Sequence, residues 1–144
     1  MDPRLNVITL GVADLGRALA FYRDGLGLRT PGVVGTEWPE DEKFAAGAVV
    51  MIELESGLVL SLYPRTQLAK DAHVAVPPPS SGTFSLGHFV ASRDEVDAVL
   101  DAAAAAGGSV TGPAHDRPWG IYSGYFQDPD GHLWEVIFSP ASGA

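Results

Sequence analysis

Apolar and polar positions follow two periods along this chain, one of strands and one of helices, and the order of periods runs twice. LNVITLGV (residues 5–12) is apolar and β-branched and predicts a strand. It stops at Ala13-Asp14, where Asp14 can cap a helix in which Leu15, Ala18, Leu19 and Tyr22 recur at helical spacing. Gly25 and Gly27 end that helix. A loop rich in Gly, Pro and acidic residues follows, from Pro31 to about Gly47, and it carries two large apolar residues, Trp38 and Phe44. AVVMIELES and GLVLSLYPR then read as strands joined near Ser56-Gly57.

Residues 66–82, closing with VPPPSSG, read as a linker. Beyond it the pattern restarts. FSLGHFVA predicts a strand, and SRDEVDAVLDAAAAAGG a helix capped by Ser92 and stopped at Gly107-Gly108. The alanine run inside it needs no further explanation, since alanine is the best helix former. Strands follow around SVTG, IYSGYFQ and HLWEVIF, with DPDG turning between the last two. The halves therefore superpose as strand, helix, then further strands. Val12 aligns with Val90, Asp14 with Ser92, and GLVLSLY with GHLWEVI, which sets Ser61 opposite Glu135.

Composition narrows the function. The 144 residues, 46% hydrophobic and 19% charged, suit an ordinary globular domain. A formal charge of −9, with the nine Lys and Arg scattered, argues against nucleic acid and anionic membranes as partners. Without cysteine there is no disulfide, thiolate metal site or cysteine nucleophile. MDPRLNVITL lacks the pattern of a signal peptide, and no apolar run approaches the ~20 residues that span a bilayer, so a cytoplasmic location is expected. No phosphate loop, nucleophile elbow or HExxH motif occurs.

Three stretches carry a resemblance: LGVADLGRALAFYRDGLGL in the first half, with EVDAVLDAAAAAGG and WGIYSGYFQDPDGHLWEVIFSP in the second. Together they span nearly the whole chain, and it resembles the vicinal oxygen chelate superfamily of glyoxalases, bleomycin-resistance proteins and extradiol dioxygenases. The resemblance implies an α+β fold in one domain over residues 1–144, with one βαβββ module over about 4–65 and another over about 83–140. It implies curved mixed sheets that form a cleft, often completed by a second subunit, so a homodimer is expected.

In the metal-using members four side chains converge in that cleft. Carried onto this chain by the position of Val12 and its equivalent Val90, the set reads Val7, Ser61, Ser85 and Glu135. A divalent metal wants three or more imidazole, carboxylate or thiolate ligands. One carboxylate and two hydroxyls fall short, so no cofactor is expected, and a divalent metal is the alternative. His88 lies three residues from Ser85, on the opposite face of its strand, and His132 diverges in the same way from Glu135. His73 and His115 fall in loops.

Glu135 shares a strand face with Leu133 and Ile137, and a buried carboxylate needs solvent or hydrogen-bond donors. Ser61 and Ser85 are the expected donors. The expected ligand-binding set adds Thr9 beside Val7, and the aromatic residues Trp38, Phe44, Tyr63, Trp119 and Tyr122, which offer stacking surface and polar handles. Tyr125 and Trp134 are expected in the core. Three functions compete on these residues. The first is metal-free binding of a small aromatic or cationic molecule, as in bleomycin resistance. The second is a lyase, isomerase or dioxygenase in which Glu135 serves as catalytic base or works beside unusual metal ligands. The third is a relative with no small-molecule role.

Overall fold

Asp14 starts the first helix as expected: its carboxylate accepts the backbone N–H of Arg17 at 2.9 Å. The computed structural model describes residues 1–78 and 83–140, in two compact units, Met1–Pro78 and Pro79–Ala144. The first unit runs β1 (Val7–Val12), α1 (Leu15–Leu19) continuing as a π-helical turn (Ala20–Gly25), β2 (Val33–Val34), β3 (Val49–Glu53), β4 (Val59–Pro64) and α2 (Arg65–Ala72). The second runs β5 (Leu86–Val90), α3 (Arg93–Ala105), β6 (Ser109–Asp116), a 3₁₀ turn (Pro118–Gly120), β7 (Tyr122–Gln127) and β8 (Leu133–Phe138).

Each unit holds one mixed sheet of four strands, ordered β1-β4-β3-β2 and β5-β8-β7-β6. In both, the first strand runs parallel to the last and the remaining pairs are antiparallel. A parallel pair needs a crossover, and the helix after the first strand begins it. The sequence repeat is thus a repeat of topology, βαβββ twice.

Alternation along the strands decides what is buried. In the first unit Leu10, Val12, Val50, Ile52, Leu60 and Leu62 form one face and pack with Ala18, Phe21 and Tyr22. Phe21 and Tyr22 are consecutive yet both fully buried, meeting edge to face with ring centroids 4.9 Å apart. In the second unit Val90, Phe126 and Val136 pack under Val96, Leu100 and Ala103 of α3. Ser92 caps α3, accepting the Glu95 N–H at 3.2 Å, and the Glu95 carboxylate reaches back to the N–H of Ala91 at 3.0 Å. Gly124 lies beneath this helix, where a Cβ would come within 2.7 Å of Leu100 and 2.9 Å of the Ala114 backbone nitrogen. Only glycine allows that approach.

The expected linker begins later than its composition suggests. Residues 65–72 are helix α2, and its Gln67 and Lys70 fasten the loop before β3. The VPPPSSG end of that linker lies partly outside the described residues. The DPDG turn closes on Asp128, whose buried carboxylate accepts the N–H groups of Asp130 at 2.9 Å and His132 at 2.8 Å. That is the turn chemistry expected of aspartate.

Candidate functional site

Strand register fixes the equivalence of the two units without recourse to sequence identity. Thr9, three residues before Val12, pairs with Ser61, and Gly87, three before Val90, pairs with Glu135. Ser61 and Glu135 therefore occupy the same place in their respective sheets. Val7 and Ser85 are likewise equivalent, Ser85 lying just before β5.

In the first unit Val7, Thr9, Ser61 and Tyr63 share the face away from Leu10 and Leu62. Val7 and Thr9 are exposed and Ser61 is buried. The Tyr63 hydroxyl is engaged in holding a loop, donating to the carbonyl of Ala46. With the Ala46 N–H on Gln67 at 2.8 Å and the Lys70–Glu40 ion pair at 2.9 Å, this ties down the loop that carries Trp38 and Phe44. The base of that loop closes through Gly35, at φ +82, where a Cβ would stand 2.2 Å from the Gly47 carbonyl. Trp38 and Phe44 are both exposed on it.

In the second unit Glu135 meets partners that its own strand does not supply. Ser123 on β7 is wholly buried, and its hydroxyl donates to Glu135 Oε2 at 2.8 Å. The same hydroxyl accepts from Arg117 Nε at 2.5 Å. Arg117, half-buried just before the 3₁₀ turn, also lies over the ring of Tyr125 at 5.5 Å. Tyr125 is directly opposite Glu135 in the β7–β8 register. Burial, followed by the negative charge of Glu135 and a hydrogen bond to it, pushes the Tyr125 phenol up. The hydroxyl that donates to Glu135 thus comes from β7, within its own unit. Sequence reasoning missed Arg117 and Ser123 and assigned Tyr125 to the core. Alternation in YSGYFQ offered a signal, because it places Ser123 and Tyr125 on one face and Tyr122, Gly124 and Phe126 on the other.

Tyr122 is accordingly separated from the Glu135 group. Its hydroxyl donates to Asp97 of α3 at 2.7 Å, and Arg93 lies over its ring at 4.8 Å, on the helix side of the sheet. His88 pairs with Val136, so it too stands on that side, as its spacing from Ser85 implies. Trp134, expected in the core, is half-buried and stacks on Phe126 at 6.0 Å with the rings 3° from parallel. Trp119 is 89% exposed and sits at φ +63, an uncommon backbone state for a bulky side chain. It belongs to a short loop closed by the Arg117 N–H on the Ile121 carbonyl at 2.8 Å.

The residues at the metal positions that the resemblance implies do not fit a divalent ion. Val7 has no donor atom, Ser61 and Ser85 offer neutral hydroxyls, and the carboxylate of Glu135 is bridged by Ser123 to a guanidinium. Among the described residues no group of three or more His, Asp and Glu side chains is placed to hold a metal.

Burial first, then the charges of Asp71 and Glu40, pushes the Tyr63 phenol up, and the bond to Asp97 is the largest cause of the same shift at Tyr122. With Tyr125, these phenols are held protonated by the fold. A raised folded-state pKa gives stabilisation that is present below the unfolded value, about 10, and lost as pH rises through the folded values. Spectrophotometric titration should show Tyr63, Tyr122 and Tyr125 ionising above pH ~10, together with a loss of thermal stability in the same range. Ionisation of all tyrosines at the free-phenol value in the folded protein would contradict the packing described for them.

Comparison with known proteins agrees with the repeated βαβββ fold. The family profile of the Glyoxalase/Bleomycin resistance protein/Dioxygenase superfamily matches residues 4–136. The chain is 30% identical over 129 residues to a lactoylglutathione lyase of Haemophilus influenzae, covering 89% of this chain and 87% of that protein. The structure of a glyoxalase-related enzyme from Fulvimarina pelagi superposes with a TM-score of 0.79 at 32% identity, over 96% of this chain and 89% of that one. A fosfomycin resistance protein from Listeria monocytogenes shares the fold, with a TM-score of 0.68 at 20% identity over 99% and 98% of the chains.

Proposed function

The chain belongs to the Glyoxalase/Bleomycin resistance protein/Dioxygenase superfamily, and we propose that within it this protein binds a small organic molecule without a metal, at the Glu135 face of its second sheet. The observation that carries this reading is the Arg117–Ser123–Glu135 chain of hydrogen bonds, with Tyr125 beside it. Buried polar groups cost stability unless they are bonded, and a strand face needs no such group to fold. Here a polar cluster is kept half-buried at the position where relatives with a metal would place a ligand. Trp119, exposed two residues beyond Arg117, is the stacking surface we assign to an aromatic part of the ligand. In this reading the role is like that of bleomycin-resistance proteins, sequestering a compound rather than transforming it.

A thermal-shift screen of organic compounds in the presence of a chelator tests the reading. Compounds that raise the melting temperature of the native chain, and do so less in Glu135→Gln, are the expected result. A screen in which every stabilising compound acts equally on both proteins would contradict it.

The 30% identity to a lactoylglutathione lyase favours a second reading, an enzyme in which Glu135 takes a proton. Metal-independent turnover of lactoylglutathione, lost in Glu135→Gln, would put that reading first. We also assign a homodimeric state to the protein. Light scattering at micromolar concentration should give twice the 15.1 kDa chain mass, and a monomer mass would refute the assignment.

A further inference from the structure

We infer that the ligand of the Glu135 face is zwitterionic: a small acid carrying, beside its oxyanion, an ammonium group, as an amino acid does. The inference rests on the binding reading above and names the chemistry of its ligand. It starts from Arg117. A guanidinium has five N–H donors in a planar fork. Arg117 commits Nε to Ser123, and its guanidinium carbon lies over the Tyr125 ring, 5.5 Å from the centroid. Among the described residues, its terminal Nη groups meet no carboxylate, carbonyl or hydroxyl. A half-buried guanidinium with its terminal fork unused fits a bidentate oxyanion, and the Tyr125 ring beside it limits the directions from which that anion can approach.

Glu135 supplies the other half. A carboxylate has about four acceptor sites, and the Ser123 hydroxyl engages one of them. What remains accepts a donor from the ligand. Ser123 sets the spacing of the two charges, because one hydroxyl accepts from Arg117 and donates to Glu135. The face thus presents a fixed positive end and a fixed negative end, one hydroxyl apart. A simple cation would find Glu135 but be repelled by Arg117, and a simple anion would meet the reverse. A molecule with both groups opposes its own dipole to that of the site and satisfies each end. The lone-carboxylate picture drawn from sequence, which points to a cationic ligand, leaves out the guanidinium two hydrogen bonds away.

Three probes of one shape separate these cases: phenylalanine, with both charges; phenylalaninamide, a cation; and 3-phenylpropanoate, an anion. Their affinities are measured by calorimetry on the full chain. Phenylalanine should bind about tenfold or more tighter than either of the others. Arg117→Gln should bring phenylalanine down to the level of phenylalaninamide, and Glu135→Gln should bring it down to that of 3-phenylpropanoate. The comparison on the native chain needs no variant, so a variant that fails to fold does not remove the test. Phenylalaninamide binding as tightly as phenylalanine, with dependence on Glu135, would overturn the inference and leave the binding reading standing. Failure of all three probes to bind at millimolar concentration would overturn it as well, and the compound screen then decides separately whether this face binds a ligand at all.

Discussion

Phe126→Ala is expected to lower the melting temperature by on the order of 10 °C, from a stability loss of roughly 3–5 kcal/mol. Phe126 is only 1% exposed and stacks on Trp134, under the helix that covers the second sheet. Truncating it removes the contacts of a whole ring and leaves a cavity. β7 and β8 are held by the sheet on both sides and cannot collapse into that space. A loss of this size is a large part of the 5–15 kcal/mol that holds a typical domain together, so the second unit should be the first to open. Phe89 gives the control. It is 57% exposed on β5, and Phe89→Ala should shift stability by less than about 0.5 kcal/mol. Equal melting temperatures for Phe126→Ala and the native chain would mean that α3 does not pack on this strand as described.

Glu135→Gln is expected to weaken a ligand that donates to this carboxylate by roughly ten- to a hundredfold, the equivalent of about 1.5–3 kcal/mol for a hydrogen bond to a charged group. The substitution keeps the shape of the side chain, and an amide oxygen can still accept from Ser123. Arg117 loses its nearby counter-charge but is only half-buried, so water can compensate it. The fold should therefore survive with a change below about 1 kcal/mol. Calorimetry with a compound found by screening, on native and variant protein, reads both quantities. An unchanged affinity would reduce Glu135 to a structural partner of Ser123.

The elements with local signals were legible in the sequence. Asp14 and Ser92 announce both helix starts through cap chemistry, and the apolar, β-branched runs between turn signals announce β1, β3, β4, β5, β7 and β8. The repeat read from Val12 and Val90 reappears as identical strand order and matched register. What escaped depends on partners distant along the chain. RTQLAKDA has little apolar periodicity and no side-chain cap, so α2 reads as linker until the loop it fastens comes into view. The Glu135 carboxylate could be placed on its face from strand alternation alone. Its bonds could not, because Ser123 is twelve residues away on the next strand and Arg117 acts through that serine. Tyr122 misled for a related reason. Aromatic character suggests a binding surface, but parity with Gly124 sends it to the helix side, where Asp97 receives its hydroxyl.

The proposed metal-free role rests on Glu135 being the one residue of the implied ligand set that can bind a metal strongly. Elemental analysis of the purified chain after dialysis against metal-free buffer tests it most directly. The expected result is far less than one zinc, nickel, iron or manganese per chain, and ligand binding that is unaffected by chelator. About one equivalent of such a metal, retained through dialysis and needed for binding, would contradict it.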